Sequence, residues 1–530
     1  WDEERALACN YLGLICVRDE KVDEAEDYFL RAIKEKPDYP TWYVNLAYLK
    51  ALQQKWNEAT HFLRLFVSVP PPKNSAVYVP LDDELRYYRT LYLVAMGKRK
   101  IPEAIDAAEA LVERFPKSKE FKRLLERVLR LQELVEITKG IEKIVNELKL
   151  QKEEGKIANL LNSLPISVID NAYVEQLRQK HLKPKVWEKD TIVYFAGKSF
   201  EEWTPDSLKK GLGGSETAIV HLAKEWVKLG YKVTVFGNTG PNEGVYDGVE
   251  YLNWYRFNRW DKFNTLIIWR APWELDFPYS AKRIWLDLHD VPLVGDFTQD
   301  RIKRVDKIFV KSKYHRELLP HVPDEKFAII TNGVDKEFAK IKAKKDKYRL
   351  IYSSSYDRGL EWILRWGWPI IKKELPQAKL DIYYGWNLFD AVNRNNPERM
   401  AWKKEMIKLM KQPGVTEHGR VGHKDLLKEK ARSTIHYYPT DFEEIDCISV
   451  RESSLVGCVP VMSNYAALKE KPYGIRIPGN PRTKEYHQKV AKEVVRLIKT
   501  GEVEKYREEG KRLALKETWD EIAKQWIEKL

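Results

Sequence analysis

From Asp190 onward the chain alternates short β-rich runs with helical stretches, and it does so in two successive series. The first series has strand-like runs at 191–195, 233–236, 266–269, 283–288, 307–310 and 327–330. A basic polar stretch, 336–347, comes after Asn332-Gly333-Val334-Asp335 and reads as a hinge. The second series runs through 348–353, 379–384, 434–438 and 459–461. Parallel neighbours need a long crossover, usually a helix, so this alternation predicts parallel sheets covered by helices on both faces. Two such doubly wound domains, each of about 150 residues, place a ligand in the crevice where strand carboxyl ends meet.

The residues before Asp190 obey another rule. In 6–39, Leu12, Gly13, Ala25, Phe29, Ala32 and Pro37 sit at the packing positions of a helical hairpin. One repeat later come Leu46, Ala47, Ala59, Leu63, Phe66 and Pro71. A third copy, Leu91, Ala104, Leu111 and Pro116, comes after an insertion of about eleven residues that begins at Pro70-Pro71-Pro72. Small residues let helices approach closely, and a proline ends the second helix of each pair. The pattern resembles the tetratricopeptide repeat, with about three units needed for a self-supporting stack. The resemblance implies a solenoid that binds a protein partner or mediates self-association, the alternative being a brace for the doubly wound domains. The helical, charged stretch after it reads as a cap and connector. The expected organisation is therefore 1–120 repeat domain, 121–187 cap and connector, 188–338 and 339–512 the two doubly wound domains, and 513–530 a terminal helix.

Composition narrows the class. At 530 residues the chain is long enough for three to four domains, and 43% hydrophobic content supplies their cores. No run of eighteen apolar residues occurs, so no membrane-spanning helix is expected. The opening Trp1-Asp2-Glu3-Glu4-Arg5 has neither a basic flank nor an apolar stretch, which predicts no signal peptide in this sequence. The chain begins without Met, so an upstream segment stays open. The four cysteines, 9, 16, 447 and 458, have no metal-ligand spacing and predict free thiols in a reducing, cytoplasmic setting. Net charge is +13, from 92 basic and 79 acidic residues. Such a surplus fits nucleic acid, a peripheral contact with a membrane face, or a heat-adapted surface with interspersed Lys and Glu. The interspersion favours the last, and with it a thermophilic source.

Several strings carry chemistry. Gly211-Leu212-Gly213-Gly214-Ser215-Glu216 precedes a helix expected over 217–229, where backbone N–H groups and the helix dipole favour an anion. The spacing is not the dinucleotide-binding GxGxxG. Trp285-Leu286-Asp287-Leu288-His289-Asp290 puts His289 at a strand's carboxyl end, where an imidazole can bond a sugar hydroxyl or steady charge. His221, His418 and His423 carry no comparable signal. Ser353-Ser354 and Arg358-Gly359 come after the first strand of the second domain, and Arg358 is suited to clamping a phosphate in bidentate fashion. His418-Gly419-Arg420-Val421-Gly422-His423 forms a Gly-containing turn. Finally, Glu444-Ile445-Asp446-Cys447-Ile448-Ser449-Val450-Arg451-Glu452 sets two carboxylates with seven residues between them, one after a strand and one on the next helix.

That last string, with Gly457-Cys458-Val459-Pro460 after it, resembles the paired-glutamate segment of glycosyltransferase family 4, and the resemblance extends over 188–530. It implies a GT-B fold of two Rossmann-like domains whose last helix crosses back onto the first. It further implies retaining transfer from a nucleotide-diphosphate sugar to a hydroxyl on a glycan, lipid-linked sugar or protein. In that reading Glu444 orients the sugar and Glu452 accepts from the ribose. Cys447, Ile448 and Ser449 line the donor site, and Gly213 and Gly214 face the diphosphate. Gly419, Arg420 and the backbone at Val421 lie beside the base, while Asp290 and Glu216 lie on the acceptor side. Glu444, His289 and Arg358 would act in catalysis. The family's Gly-Arg pair at the strand end is replaced here by Ser353 and Ser354, which supply donors without charge. Arg358-Gly359 matches its later Lys-Gly. With no Asp-x-Asp beside a nucleotide site, neither a metal nor another cofactor is expected. The alternatives are a catalytically weak repeat scaffold with a degenerate GT-B domain, and a nucleic-acid-modifying glycosyltransferase.

Overall fold

The computed structural model describes residues 2–72, 79–165, 168 and 172–530, and it divides into two compact units, Trp1–Leu182 and Lys183–Leu530. Residues 73–78 of the expected insertion, and 166, 167 and 169–171 of the expected connector, lie outside the described residues. No helix among the described residues is long and apolar enough to cross a membrane.

The first unit is helical. Asp2–Arg18 packs on Val22–Glu35, Pro40–Leu52 on Trp56–Ser68, and Pro80–Gly97 on Ile101–Arg114. Lys119–Leu150, Glu154–Asn162 and Ala172–His181 complete it. The second helix of each pair ends two or three residues before Pro37, Pro71 and Pro116, because the residue preceding a proline is driven out of the helical region. Ala25, Ala32, Ala47, Ala59 and Ala104 are fully buried at the helix crossings. Leu12 does not join them: it is 43% exposed, and its neighbour Gly13 makes the close approach instead. A Cβ on Gly13 would stand 2.6 Å from the Phe29 ring, and one on Gly97 would stand 2.5 Å from the Trp56 indole. Gly97→Ala is therefore expected to destabilise this unit by about 1–3 kcal/mol, the usual cost of overpacking. Calorimetric unfolding of the full chain checks it, the transition of the first unit falling while that of the second holds.

The second unit is built on two sheets. The first contains β1 (Thr191–Phe195), β2 (Lys232–Gly237), β3 (Gly244–Tyr246), β4 (Val249–Asn253), β5 (Lys262–Trp269), β6 (Ser280–Asp287), β7 (Lys307–Val310) and β8 (Phe327–Ile329). Its order is β3-β4-β2-β1-β5-β6-β7-β8, parallel except for the β3–β4 hairpin at one edge. The second contains β9 (Asp346–Tyr352), β10 (Lys379–Ile382), β11 (Val415–Glu417), β12 (Ser433–Tyr438), β13 (Val459–Ser463) and β14 (Ile475–Ile477). Its order is β11-β10-β9-β12-β13-β14, parallel throughout. The order in which strands are added reverses between β1 and β5 in one sheet and between β9 and β12 in the other. These switch points open crevices at the strands' carboxyl ends.

Four strands, β3, β4, β11 and β14, are absent from the sequence reading. Three of them span only three residues at sheet edges. The hinge expected over 336–347 is also shorter, because 336–340 forms a tight helical turn and β9 begins at Asp346. The terminal helix, Trp519–Ile527, packs into the core of the first sheet. Its Trp526 is fully buried and stacks on Phe309 with ring centroids 3.6 Å apart.

Candidate functional site

The carboxyl ends of β1, β5, β6, β9 and β12 converge on one cleft with a cavity volume of about 280 Å³. From the first sheet's side come Gly213, Gly214, Ser215, Arg270, His289 and Asp290. The helix here is Gly214–Lys228, so it begins three residues earlier than expected and Gly213 is its N-cap. Gly214 and Ser215 thus occupy its first turn, whose N–H groups have no intrahelical partner. From the second sheet come Ser353, Ser354, Arg358, Glu444, Cys447, Ile448, Ser449 and Glu452.

The two glutamates sit in different electrostatic settings. Glu452 lies in the helix Ile448–Leu455, in its middle rather than at its start, and is 6% exposed. Its Oε2 accepts from the Lys430 ammonium at 2.7 Å, and its Oε1 contacts His423 Nε2. Burial alone would raise its pKa, but Lys430 and His423 outweigh that and hold it below the ordinary carboxylate range. Glu452 is an anion at neutral pH, acceptor-only, with lone pairs to spare. Glu444 accepts from the Tyr438 hydroxyl at 2.5 Å and from Arg358 at 3.2 Å. Arg358 also lies over the Phe442 ring, 4.0 Å from its centroid. Ser353 Oγ is 2.9 Å from Ser449 Oγ, which ties the first strand's end to the glutamate-bearing helix.

Three expected site residues lie elsewhere. Arg420 is turned away by Glu201, whose two oxygens accept from it at 2.8 and 2.9 Å, and neither Gly419 nor Arg420 lines the cleft. Glu216 folds back beside its own helix start, 3.9 Å from Arg270, and does not line the cleft either. In the opposite direction, Arg270, His423 and Lys430 carried no signal in the sequence. Arg270 comes directly after β5 with a left-handed φ of 60°, a conformation that costs a non-glycine residue and is concentrated at functional sites. It reaches Ser215 Oγ at 2.9 Å and Asp290 Oδ2 at 2.6 Å. A cation therefore stands beside the Gly214 helix start, on the opposite wall from the serines that lack one. A residue between a buried strand and Ala-Pro gives no local sequence cue to that geometry.

Contacts between the two sheets' domains close round the cleft. Ser312 donates to the Ile445 carbonyl at 2.7 Å, and the Glu470 carboxylate accepts from the Lys313 and Tyr314 amides at 2.9 and 2.6 Å. Tyr314 also donates to Glu443. Behind His289, His315 is fully buried, with Nδ1 accepting from the Lys311 amide and Nε2 bonding the Asp290 carbonyl. Burial pushes its pKa down to about 3. The unfolded chain takes up this proton near pH 6.5 and the folded protein does not, so stability present above that pH is lost as pH falls towards 3. His315→Gln is expected to shrink the loss in melting temperature between pH 7 and pH 4, the wild-type histidine costing about 3 kcal/mol over that range.

No family model matches the chain, and no curated protein matches it. Solved structures that it is similar to include the sucrose-phosphate synthase of Thermosynechococcus elongatus, at 13% identity and a TM-score of 0.48, covering 64% of this chain and 98% of that one. A glycosyltransferase from Rickettsia africae matches at 11% and 0.47 over the same shares. A variant of the Thermobaculum terrenum O-GlcNAc transferase matches at 12% and 0.41, covering 99% of this chain and 96% of that one. At such identities and scores these likenesses assign neither family nor activity.

Proposed function

We propose that the second unit is a retaining glycosyltransferase of the GT-B, family 4 type, moving a sugar from a nucleotide-diphosphate sugar to an acceptor hydroxyl without a metal. One observation carries the reading: Glu444, Glu452, Arg358, His289 and the Gly214 helix start all line one cleft between the carboxyl ends of two parallel sheets. The glutamate pair then holds the donor, Glu452 accepting from the ribose diol and Glu444 from the sugar. Arg358 and the helix start face the diphosphate, and Arg270 adds positive charge where the serines supply none. The acceptor oxygen bonds the anomeric carbon on the face from which the diphosphate leaves, and the acceptor proton passes to a leaving phosphate oxygen. Positioning and stabilisation of developing charge in a water-poor cleft supply most of the rate. The helical unit serves as a partner-binding or assembly module of tetratricopeptide type.

A panel of UDP-glucose, GDP-mannose and ADP-glucose read by thermal shift tests the donor. One nucleotide is expected to raise the melting temperature by roughly 2 °C or more, since a ligand selective for the native state stabilises it by mass action. No shift from any member contradicts the reading. Donor turnover is expected to persist in excess EDTA, and its loss on chelation would overturn the metal-free part.

A further inference from the structure

We infer that Asp287 is a positioning residue that fixes His289 as the tautomer protonated on Nε2, so that the imidazole presents a bare Nδ1 to the cleft and can only accept a hydrogen bond there. Asp287 is fully buried at the end of β6, two residues before His289, and its carboxylate serves three donors. Its Oδ1 takes the Lys311 ammonium, itself buried, and its Oδ2 takes the Tyr194 hydroxyl at 2.6 Å and His289 Nε2 at 3.1 Å. A carboxylate beside a lysine and a tyrosine hydroxyl is acceptor-only, so Nε2 must carry the hydrogen. Lys311 and His289 keep Asp287 ionised, outweighing burial, which would protonate it.

A second proton on the ring is opposed from several sides. His289 is 8% exposed, burial lowers its pKa, and Lys311 and Arg270 add like charge, against the single attraction of Asp287. The other groups near it are His315, buried and neutral, and Asp290, already engaged by Arg270. The Trp269 ring stands beside the imidazole, tilted by 59° with centroids 6.1 Å apart. Nδ1 has no hydrogen-bond partner among the described residues, while His289 lines the cleft. Resting on the glycosyl-transfer reading, the group that meets Nδ1 is a hydroxyl of the bound sugar or acceptor, donating its hydrogen.

The experiment is ¹⁵N NMR of the histidine side chains in ligand-free full-length protein, paired with two variants. Wild type is expected to show His289 with a protonated Nε2 and an unprotonated Nδ1 throughout pH 6–8; a protonated Nδ1 overturns the inference. In Asp287→Asn, Lys311 still demands an oxygen, so the amide nitrogen faces Nε2 and the ring proton moves to Nδ1. Turnover of the panel sugar that binds is expected to fall about 100-fold with donor KM nearly unchanged, as for loss of one transition-state contact. Should that variant fail to fold because Lys311 loses its counter-charge, Asp287→Asn combined with Lys311→Met decides. There the amide oxygen is free to face Nε2, and the wild-type tautomer and turnover within about tenfold of wild type are expected; a tautomer protonated on Nδ1 with wild-type turnover refutes the role. A folded Asp287→Asn protein with a shifted tautomer and undiminished turnover refutes the positioning role. The tautomer is read without ligand, so failure of every nucleotide sugar to bind would sink the glycosyl-transfer reading and leave this measurement standing.

Discussion

Replacing Arg358 with alanine is expected to lower turnover of the nucleotide sugar by about 10²–10³-fold while leaving the protein folded. Arg358 is held between the Phe442 ring and the Glu444 carboxylate, and both partners leave its guanidinium edge in the cleft. The side chain keeps 34% of its surface exposed, so its removal vacates space that water can fill, and the buried Glu444 carboxylate keeps the Tyr438 hydroxyl as a donor. In the proposed transfer the effect falls on the departing diphosphate, whose charge would grow in the transition state and which the serines at 353 and 354 would meet only with hydroxyls. Arg358→Lys is expected to recover part of the rate, because a lysine keeps the charge and loses the paired-donor geometry. Initial rates at saturating donor separate the two variants. A wild-type rate in Arg358→Ala would remove the arginine from the mechanism.

The second large effect concerns stability. Asp446, 4% exposed within the glutamate string, accepts from Arg451 at 3.0 and 3.1 Å, from the Asn332 amide at 3.2 Å, and from Lys471. Arg451 is fully buried and also bonds Glu517 and Thr331. The cluster thus joins the end of β8, the glutamate-bearing helix and the segment leading to the terminal helix. Removing Asp446 strips the buried Lys471 of its anion and leaves the buried Arg451 with Glu517 alone, and Asp446→Ala is expected to cost about 3–5 kcal/mol. Arg451 and Lys471 hold its pKa well below the ordinary range against the effect of burial. This stabilisation is therefore present above about pH 4 and is lost as pH falls through the folded value. Calorimetry of the full chain should show the second unit's transition collapsing while the helical unit's stays in place. The variant should also show a flatter acid limb.

The same string shows how far residues alone could be read. The alternation of strands and helices located ten strands of the two sheets to within a few residues, because buried parallel strands are continuous apolar runs. The edge strands escaped since three residues do not make a pattern. Glu444, Glu452, Arg358 and His289 were legible because each follows a strand or lies on the helix after it, inside a recognisable string. Arg270, Lys430 and Asp287 were not legible as parts of the site. Their meaning comes from neighbours 55, 22 and 24 residues away in sequence, at Ser215, Glu452 and Lys311. Arg420 misled for the same reason in reverse, since its partner Glu201 is 219 residues distant. Spacing along the chain carries local geometry, whereas charge pairing across a cleft depends on a fold that brings remote loops together.

The most direct measurement is a calorimetric titration of the full-length protein with UDP-glucose, GDP-mannose and ADP-glucose, repeated on Glu452→Gln and Arg358→Ala. Saturable binding of one sugar nucleotide, weakened by about tenfold or more in each folded variant, is the expected result. Binding that is absent from all three, or that survives both substitutions unchanged, would contradict a donor seated between the two sheets.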